Sequence, residues 1–262
     1  MLAYVLDAAR EATGDKPLVV YSPPTAAIRD VLAEDCDFAL QPTPNGTGDA
    51  LAAALADVGD DIDELVVLSG DVPLIAADSI DAILDGRGPE AVMALAVVEL
   101  QDPTGYGRVV MATDASVERI VEEKDATASE REVVLINAGL YAFDVAWLRG
   151  AIGRLTPSPA TGELYLTQLV ELARADGRPV VGVEQPDGAD WSTELMGIND
   201  RVELAEAQLI LQNDIVERLM ESGVSFEDPD AVTIEASVAV EPDVTIERNV
   251  VLRGGTRIGR DT

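Results

Sequence analysis

The chain has no histidine and a single cysteine, Cys36. Without histidine there are no Ser–His or Cys–His nucleophile pairs, no histidine metal sites and no histidine general bases. A lone cysteine excludes an internal disulfide framework and fits a reducing cytoplasm. Lysine is nearly missing too. Of 18 basic residues only Lys16 and Lys124 are lysines, against 49 acidic residues, for a net charge of −31. That charge is spread along the chain, which excludes a basic face for nucleic acid. A surface so acidic repels itself at low salt, and we read it as adaptation to a high-salt cytoplasm. No apolar run is long enough to cross a bilayer, and no charged-then-apolar leader opens the sequence.

What is present is a core. The 262 residues are 47% hydrophobic, enough for one large domain or a domain with an extension. The pattern alternates short apolar strands with helical stripes. A helix covers Met1 to Ala12. Strands follow at Leu18–Tyr21 and Phe38–Gln41, with a helix of about three turns expected from Thr25 between them. After the turn-rich Pro42–Gly48 comes a helix through Leu55, then the apolar run Leu65–Leu68. Four consecutive apolar residues read as a strand buried on both faces, so the alternation predicts βαβ units and a mainly parallel sheet. Asp78 is placed as the cap of the next helix. Beyond it the pattern predicts a strand over Val92–Leu100, a hairpin of Val109–Met111 with Val117–Glu122, and an apolar strand over Val134–Phe143 interrupted by Asn137-Ala138-Gly139.

The run at Leu65–Leu68 ends in Ser69-Gly70-Asp71-Val72-Pro73, where proline forbids further pairing. Asp71 therefore stands just past the carboxyl end of a strand, where open α/β sheets bind ligands. A carboxylate there, beside a glycine that admits close backbone approach, suits Mg²⁺. An ordinary turn aspartate is the competing reading of that segment alone.

From Asp200 the pattern becomes one long helix, capped by Asp200 and closed at Gly223. Then the period changes. Val232, Val238, Val244, Val250 and Thr256 recur every six residues, as do Ile234, Val240, Ile246, Leu252 and Ile258. Two interleaved series of this kind mark a hexapeptide parallel β-helix. The organisation expected is a sheet domain over 1–199, a linker helix over 200–223 and the start of the repeat over 224–262.

Seven segments in order resemble one family. They are Gln41-Pro-Thr-Pro-Asn-Gly-Thr-Gly48, Ser69-Gly-Asp-Val-Pro-Leu74, Asp102-Pro-Thr-Gly-Tyr-Gly-Arg108, Val121-Glu-Glu-Lys-Asp125, Ile136-Asn-Ala-Gly139, Gly162-Glu-Leu-Tyr-Leu-Thr167 and Gly197-Ile-Asn-Asp-Arg201. The chain resembles the bifunctional N-acetylglucosamine-1-phosphate uridylyltransferase/glucosamine-1-phosphate acetyltransferase family over essentially its whole length. The resemblance implies an α/β, Rossmann-like nucleotidyltransferase domain, a helical arm and a left-handed β-helix through which the full-length protein forms a homotrimer. Its implied reaction is attack by an amino-sugar 1-phosphate on the α-phosphorus of UTP, chemistry that depends on positioning and charge neutralisation more than on a protein base.

The residue roles also follow from the resemblance. Gln41, Gly46 and Thr47 would read the uracil, with Ser69, Gly70 and Asp71 completing the nucleotide side. Asp71 and Asn199 would share Mg²⁺. Gly107, Glu122, Asn137, Tyr165 and Thr167 would hold the amino sugar. Lys124 is expected to reach a substrate phosphate, a solvated hairpin lysine being the alternative. The family's opening strand and Gly-x-Gly-Thr-Arg loop are not matched. The expectation is therefore a chain lacking a first βα element of roughly 30 residues, with little activity by itself. Gln168 stands where the family usually has Asp. A thymidylyltransferase or other related sugar-1-phosphate nucleotidyltransferase, and a non-catalytic sugar-nucleotide-binding or assembly protein, are the rival readings.

Overall fold

The structure is a computed structural model describing residues Met1–Thr262. It divides into two compact units, Met1–Gly197 and Ile198–Thr262.

The first unit runs α1 (Leu2–Thr13), β1 (Leu18–Tyr21), a 3₁₀ turn (Pro23–Thr25), α2 (Ile28–Val31), β2 (Asp37–Leu40), α3 (Thr47–Leu55), β3 (Glu64–Val67), α4 (Ala77–Arg87) and β4 (Met93–Glu99). It continues with β5 (Arg108–Met111), β6 (Val117–Val121), α5 (Ala128–Arg131), β7 (Leu135–Asp144), α6 (Val145–Ala151), α7 (Leu169–Ala175), β8 (Val180–Val183) and α8 (Trp191–Glu194). Two expected helices differ. The one from Thr25 is a 3₁₀ turn followed by the four residues of α2, because Arg10 takes the Asp35 carbonyl through Nη2 (2.7 Å) and the chain turns back at once into β2. Asp78 lies in the first turn of α4, whose N-cap is Ala76.

The expected parallel sheet is corrected to a mixed one. Strands lie in the order β6-β5-β7-β4-β8, and β3 also pairs with β7. Only β4 and β8 run parallel, while β3, β4 and β5 all run antiparallel to β7. The cause is the β5–β6 hairpin, after which the chain re-enters the sheet in the opposite direction. Since β4 occupies one edge of β7 throughout, β3 and β5 share the other edge, one at each end. Thus β3 is half-buried, not enclosed on both faces. Strands β1 and β2 form a separate parallel pair.

Alternation along β4 divides the core. Met93, Leu95 and Val97 face one cluster with Tyr141, Phe143, Leu148 and Leu169. Ala94, Ala96 and Val98 face the other with Ile80, Ile83, Leu140 and Val5. Small residues on the second face let α4 approach, and α1 packs on α4 in turn. Each large apolar side chain buried this way contributes about 1.5–3 kcal/mol.

In the second unit, Asp200 accepts from the N–H groups of Val202 (2.7 Å) and Glu203 (3.0 Å) and starts α9 (Arg201–Glu221). Gly223 closes the helix at φ +98°, a conformation costly for any residue with a Cβ. Six two-residue strands follow: β9 (Ser225–Phe226), β10 (Thr233–Ile234), β11 (Ala239–Val240), β12 (Thr245–Ile246), β13 (Val251–Leu252) and β14 (Arg257–Ile258). They pair in parallel as β9 with β12, β10 with β13 and β11 with β14, burying Val232, Ile234, Val244 and Ile246 with Ile215 and Val216 of α9.

Candidate active site

Three groups of side chains gather at one end of the first unit's strands. The first surrounds Gln41. Its N–H is held by the Tyr21 carbonyl at 2.8 Å, which places it at the carboxyl end of the β1–β2 pair. Gln41 is buried, and its Nε2 donates to Asp49 Oδ2 (2.7 Å) and to the Gly46 carbonyl (3.1 Å). Both amide protons are thereby committed, leaving Oε1 as an acceptor with no partner in the chain. The following turn is stitched to the segment before α7. Leu164 N–H donates to Asn45 O, and Gly48 N–H to Leu164 O, both at 2.8 Å. Gly46 sits at φ +105°, and a Cβ there would lie 2.5 Å from Leu164 O. Thr47 Oγ1 accepts from Leu166 N–H at 3.0 Å, so the hydroxyl braces the turn.

The second group follows β3. Asp71 is half-buried, and its carboxylate makes neither a hydrogen bond nor an ion pair within the chain. Gly70 is exposed beside it, with Leu2 at the start of α1 close by, 3.6 Å from where a Cβ would stand. Ser69 Oγ lies 2.9 Å from the position a Cβ would take on Gly139, which has φ +80°. The β3 corner and the middle of β7 therefore touch. No three carboxylates or thiols gather to cage a metal. One uncommitted carboxylate fits Mg²⁺, which takes few protein oxygens and completes its shell from phosphate and water. Asn199 belongs to the second unit, where its N–H donates to Glu203 Oε2 at 2.5 Å in the capping of α9.

The third group lies between β5, β6, β7 and the segment before α7. Gly107 is buried, its carbonyl accepts the Asn137 N–H at 2.9 Å, and a Cβ on it would come 3.6 Å from Glu122 Oε2. Glu122 Oε1 accepts from Thr167 Oγ1 at 2.7 Å, which leaves Oε2 free for a ligand. Tyr165 shares a hydrogen bond with Thr161 Oγ1 at 2.8 Å. Glu122, Tyr165 and Thr167 line one cavity of about 280 Å³ together with Asp125, Ser158 and Gln168. Gln168 clasps Thr156 in both directions, accepting its N–H at 2.7 Å and donating to its Oγ1 at 2.9 Å. An aspartate could only accept. Lys124 is exposed, forms no ion pair and does not line this cavity, whereas Lys16 is paired with Asp37 at 2.7 Å.

The structure thus brings Gly107, Glu122, Asn137, Tyr165 and Thr167 together, and sets Ser69, two residues before Asp71, against Gly139, two residues after Asn137. Two supports were not read from the sequence. Asn137 Nδ2 donates to Tyr141 Oη at 2.6 Å. Arg108, 2% exposed, bonds the Tyr106 carbonyl and Glu123 Oε2 (2.7 Å), tying together the neighbours of Gly107 and Glu122. Burial pushes the Tyr141 phenol well above its usual range against the Asn137 hydrogen bond, and the Glu122 charge adds to the rise. Tyr141 therefore stays protonated at any physiological pH.

Residues 1–192 match the nucleotidyl transferase family. The whole chain is 37% identical to the bifunctional protein GlmU of Lactobacillus helveticus, covering 56% of that protein. It is 40% identical to GlmU of Rubrobacter xylanophilus, covering 54% of it, and 37% identical over 99% of the chain to GlmU of Mycobacterium tuberculosis, covering 53%. The chain thus spans about half the length of these relatives. Its fold is shared with CMP:2-keto-3-deoxy-manno-octonic acid synthetase complexed with CTP, at a TM-score of 0.57 and 16% identity over 81% of this chain and 88% of that one. With its mixed sheet and the three groups at the strand ends, the chain belongs to the nucleotidyl transferase family.

Proposed function

We propose that the first unit joins UTP and N-acetylglucosamine 1-phosphate, forming UDP-N-acetylglucosamine and releasing pyrophosphate. The observation that carries the base assignment is the locked amide of Gln41. With both protons held by Asp49 and Gly46, Gln41 offers only Oε1. Uracil presents a donor at N3–H, which Oε1 accepts. Cytosine presents an acceptor at N3 and meets repulsion instead. Gly46 and Thr47 form the wall beside the base, and Ser69 and Gly70 border the phosphates.

Toward the sugar, Glu122 Oε2 accepts from hydroxyl groups, while Gly107 N–H and the Asn137 amide donate to oxygens. Tyr165 and Thr167 shape that wall, and Thr167 also holds Glu122 in place. Asp71, half-buried with a carboxylate that is uncommitted within the chain, would hold Mg²⁺. When bound, the ion neutralises charge on the triphosphate during transfer. The chain's own residues orient the sugar phosphate in line with the α-phosphorus, and no protein base is needed because the attacking phosphate oxygen is already ionised. Lys124, exposed and unpaired, adds a mobile positive charge near the phosphates. The ladders β9–β14 are the first coils of a hexapeptide β-helix in this reading, through which copies of the whole protein form a trimer. The setting is a salt-rich cytoplasm.

Titration calorimetry with Mg²⁺ in molar salt tests the base assignment. UTP should bind at least about tenfold more tightly than CTP, and UDP-N-acetylglucosamine should bind as well. Equal affinity for UTP and CTP would remove the uracil reading. Tighter binding of dTTP than of UTP would favour a thymidylyltransferase.

A further inference from the structure

Tyr141 has no ligand contact in the scheme above, yet its hydroxyl holds the side chain assigned to the sugar. The two residues meet because of a bulge. Tyr141 pairs with Leu95 and Asn137 with Val97, so four steps along β7 are matched by only two along β4. Four steps of regular strand would separate them by about 13 Å, whereas two steps of β4 cover about 7 Å. Gly139, at φ +80°, lies in the middle of this excursion, and bulges of this kind re-aim side chains beside binding sites. The phenol leans back along the strand and receives Asn137 Nδ2 at 2.6 Å.

The other end of the amide is fixed as well. Gly139 N–H donates to Asn137 Oδ1 at 3.3 Å. A backbone N–H can only donate, so oxygen must face Gly139 and nitrogen must face Tyr141. A flipped amide would set donor against donor at Gly139. One Nδ2 proton is committed to Tyr141, and the second is left to point away from it. Tyr141 itself is held firmly. It is buried, with its ring stacked on Phe143 at 6.0 Å and 29°.

We infer that Tyr141 is a positioning residue that fixes the rotamer and polarity of the Asn137 amide, so that Asn137 presents an N–H donor to an oxygen of the sugar. The inference rests on the reading of Asn137 as a sugar contact. It also bears on specificity, because the group that fits this donor is an acceptor such as a carbonyl or hydroxyl oxygen.

The test is Tyr141→Phe in the full chain, which keeps the ring and removes only the hydroxyl. Two measurements are made. The first needs no ligand: the side-chain NH₂ resonances of Asn137 should shift in the variant, because one proton loses its acceptor. The second is calorimetry with UDP-N-acetylglucosamine and, separately, with UTP. Y141F should weaken the sugar nucleotide about tenfold, the scale of one lost hydrogen bond, and leave UTP unchanged. In an Asn137→Ala background Y141F should have no further effect, since its influence passes through Asn137. Unmoved Asn137 resonances, unchanged sugar-nucleotide affinity, or an effect of Y141F that persists in N137A would each overturn the inference. If the unsubstituted chain binds UTP but no sugar nucleotide, the sugar reading of the site fails and takes this inference with it. The resonance shift would still report whether the amide is held as described.

Discussion

Gln41 and Asn137 carry the same functional group and are prepared in opposite ways. Gln41 gives both amide protons to Asp49 and Gly46 and keeps an oxygen. Asn137 takes a backbone N–H on its oxygen, gives one proton to Tyr141 and keeps the other. One residue is left to accept and the other to donate. An amide free to rotate could do either, so its selectivity comes from the partners that immobilise it. Here those partners are a carboxylate and a carbonyl in one case, and a backbone N–H and a phenol in the other.

That contrast can be broken in three ways. The largest effect is expected at Asp71, to which the proposed function assigns Mg²⁺ and, through it, the triphosphate. Asp71→Asn should abolish the Mg²⁺ dependence of UTP binding and lower any turnover by about a thousandfold, measured as pyrophosphate release. Retention of Mg²⁺-dependent binding would place the metal elsewhere. A one-sided effect is expected at Gln41. Gln41→Glu removes two donors and sets a second carboxylate against Asp49, so UTP affinity should fall by roughly 10–100-fold while N-acetylglucosamine 1-phosphate binding stays the same. If both ligands lose equally, the damage is structural and not specific to the base pole. The smallest effect belongs to Lys124. An exposed charge with no fixed partner should change UTP affinity by less than about fivefold when replaced by alanine. That change should shrink further as salt rises, and a salt-independent loss would show a buried phosphate contact instead.

Much of this was legible in the chain. Asp71 could be placed by its position after an apolar run, and Gly46 by its turn, although the structure adds a reason for the glycine: the Leu164 carbonyl leaves no room for a Cβ. Strand direction was not legible. Nothing in Leu65–Leu68 tells whether its neighbour runs parallel or antiparallel, and only the hairpin upstream of β7 decides it. Helix α2 was overestimated because local periodicity cannot see Arg10 taking the Asp35 carbonyl. Tyr141 was hidden for a related reason. In a regular strand it is too far from Asn137 to touch it, and the shortened register is a property of two strands that neither sequence segment carries alone.

The central place of β7 also bears on the order in which the protein is made. Its partners β3 and β4 are synthesised well before it, and β3 has no other ladder partner in the sheet. On the ribosome, Leu65–Leu68 must wait with its backbone unpaired until residues past Asp144 have emerged. Pairings of such long sequence separation form slowly and leave nascent chains open to wrong association. The ladder that completes the sheet is therefore also the one that ends the exposure of β3, because no other strand pairs with it before β7 arrives.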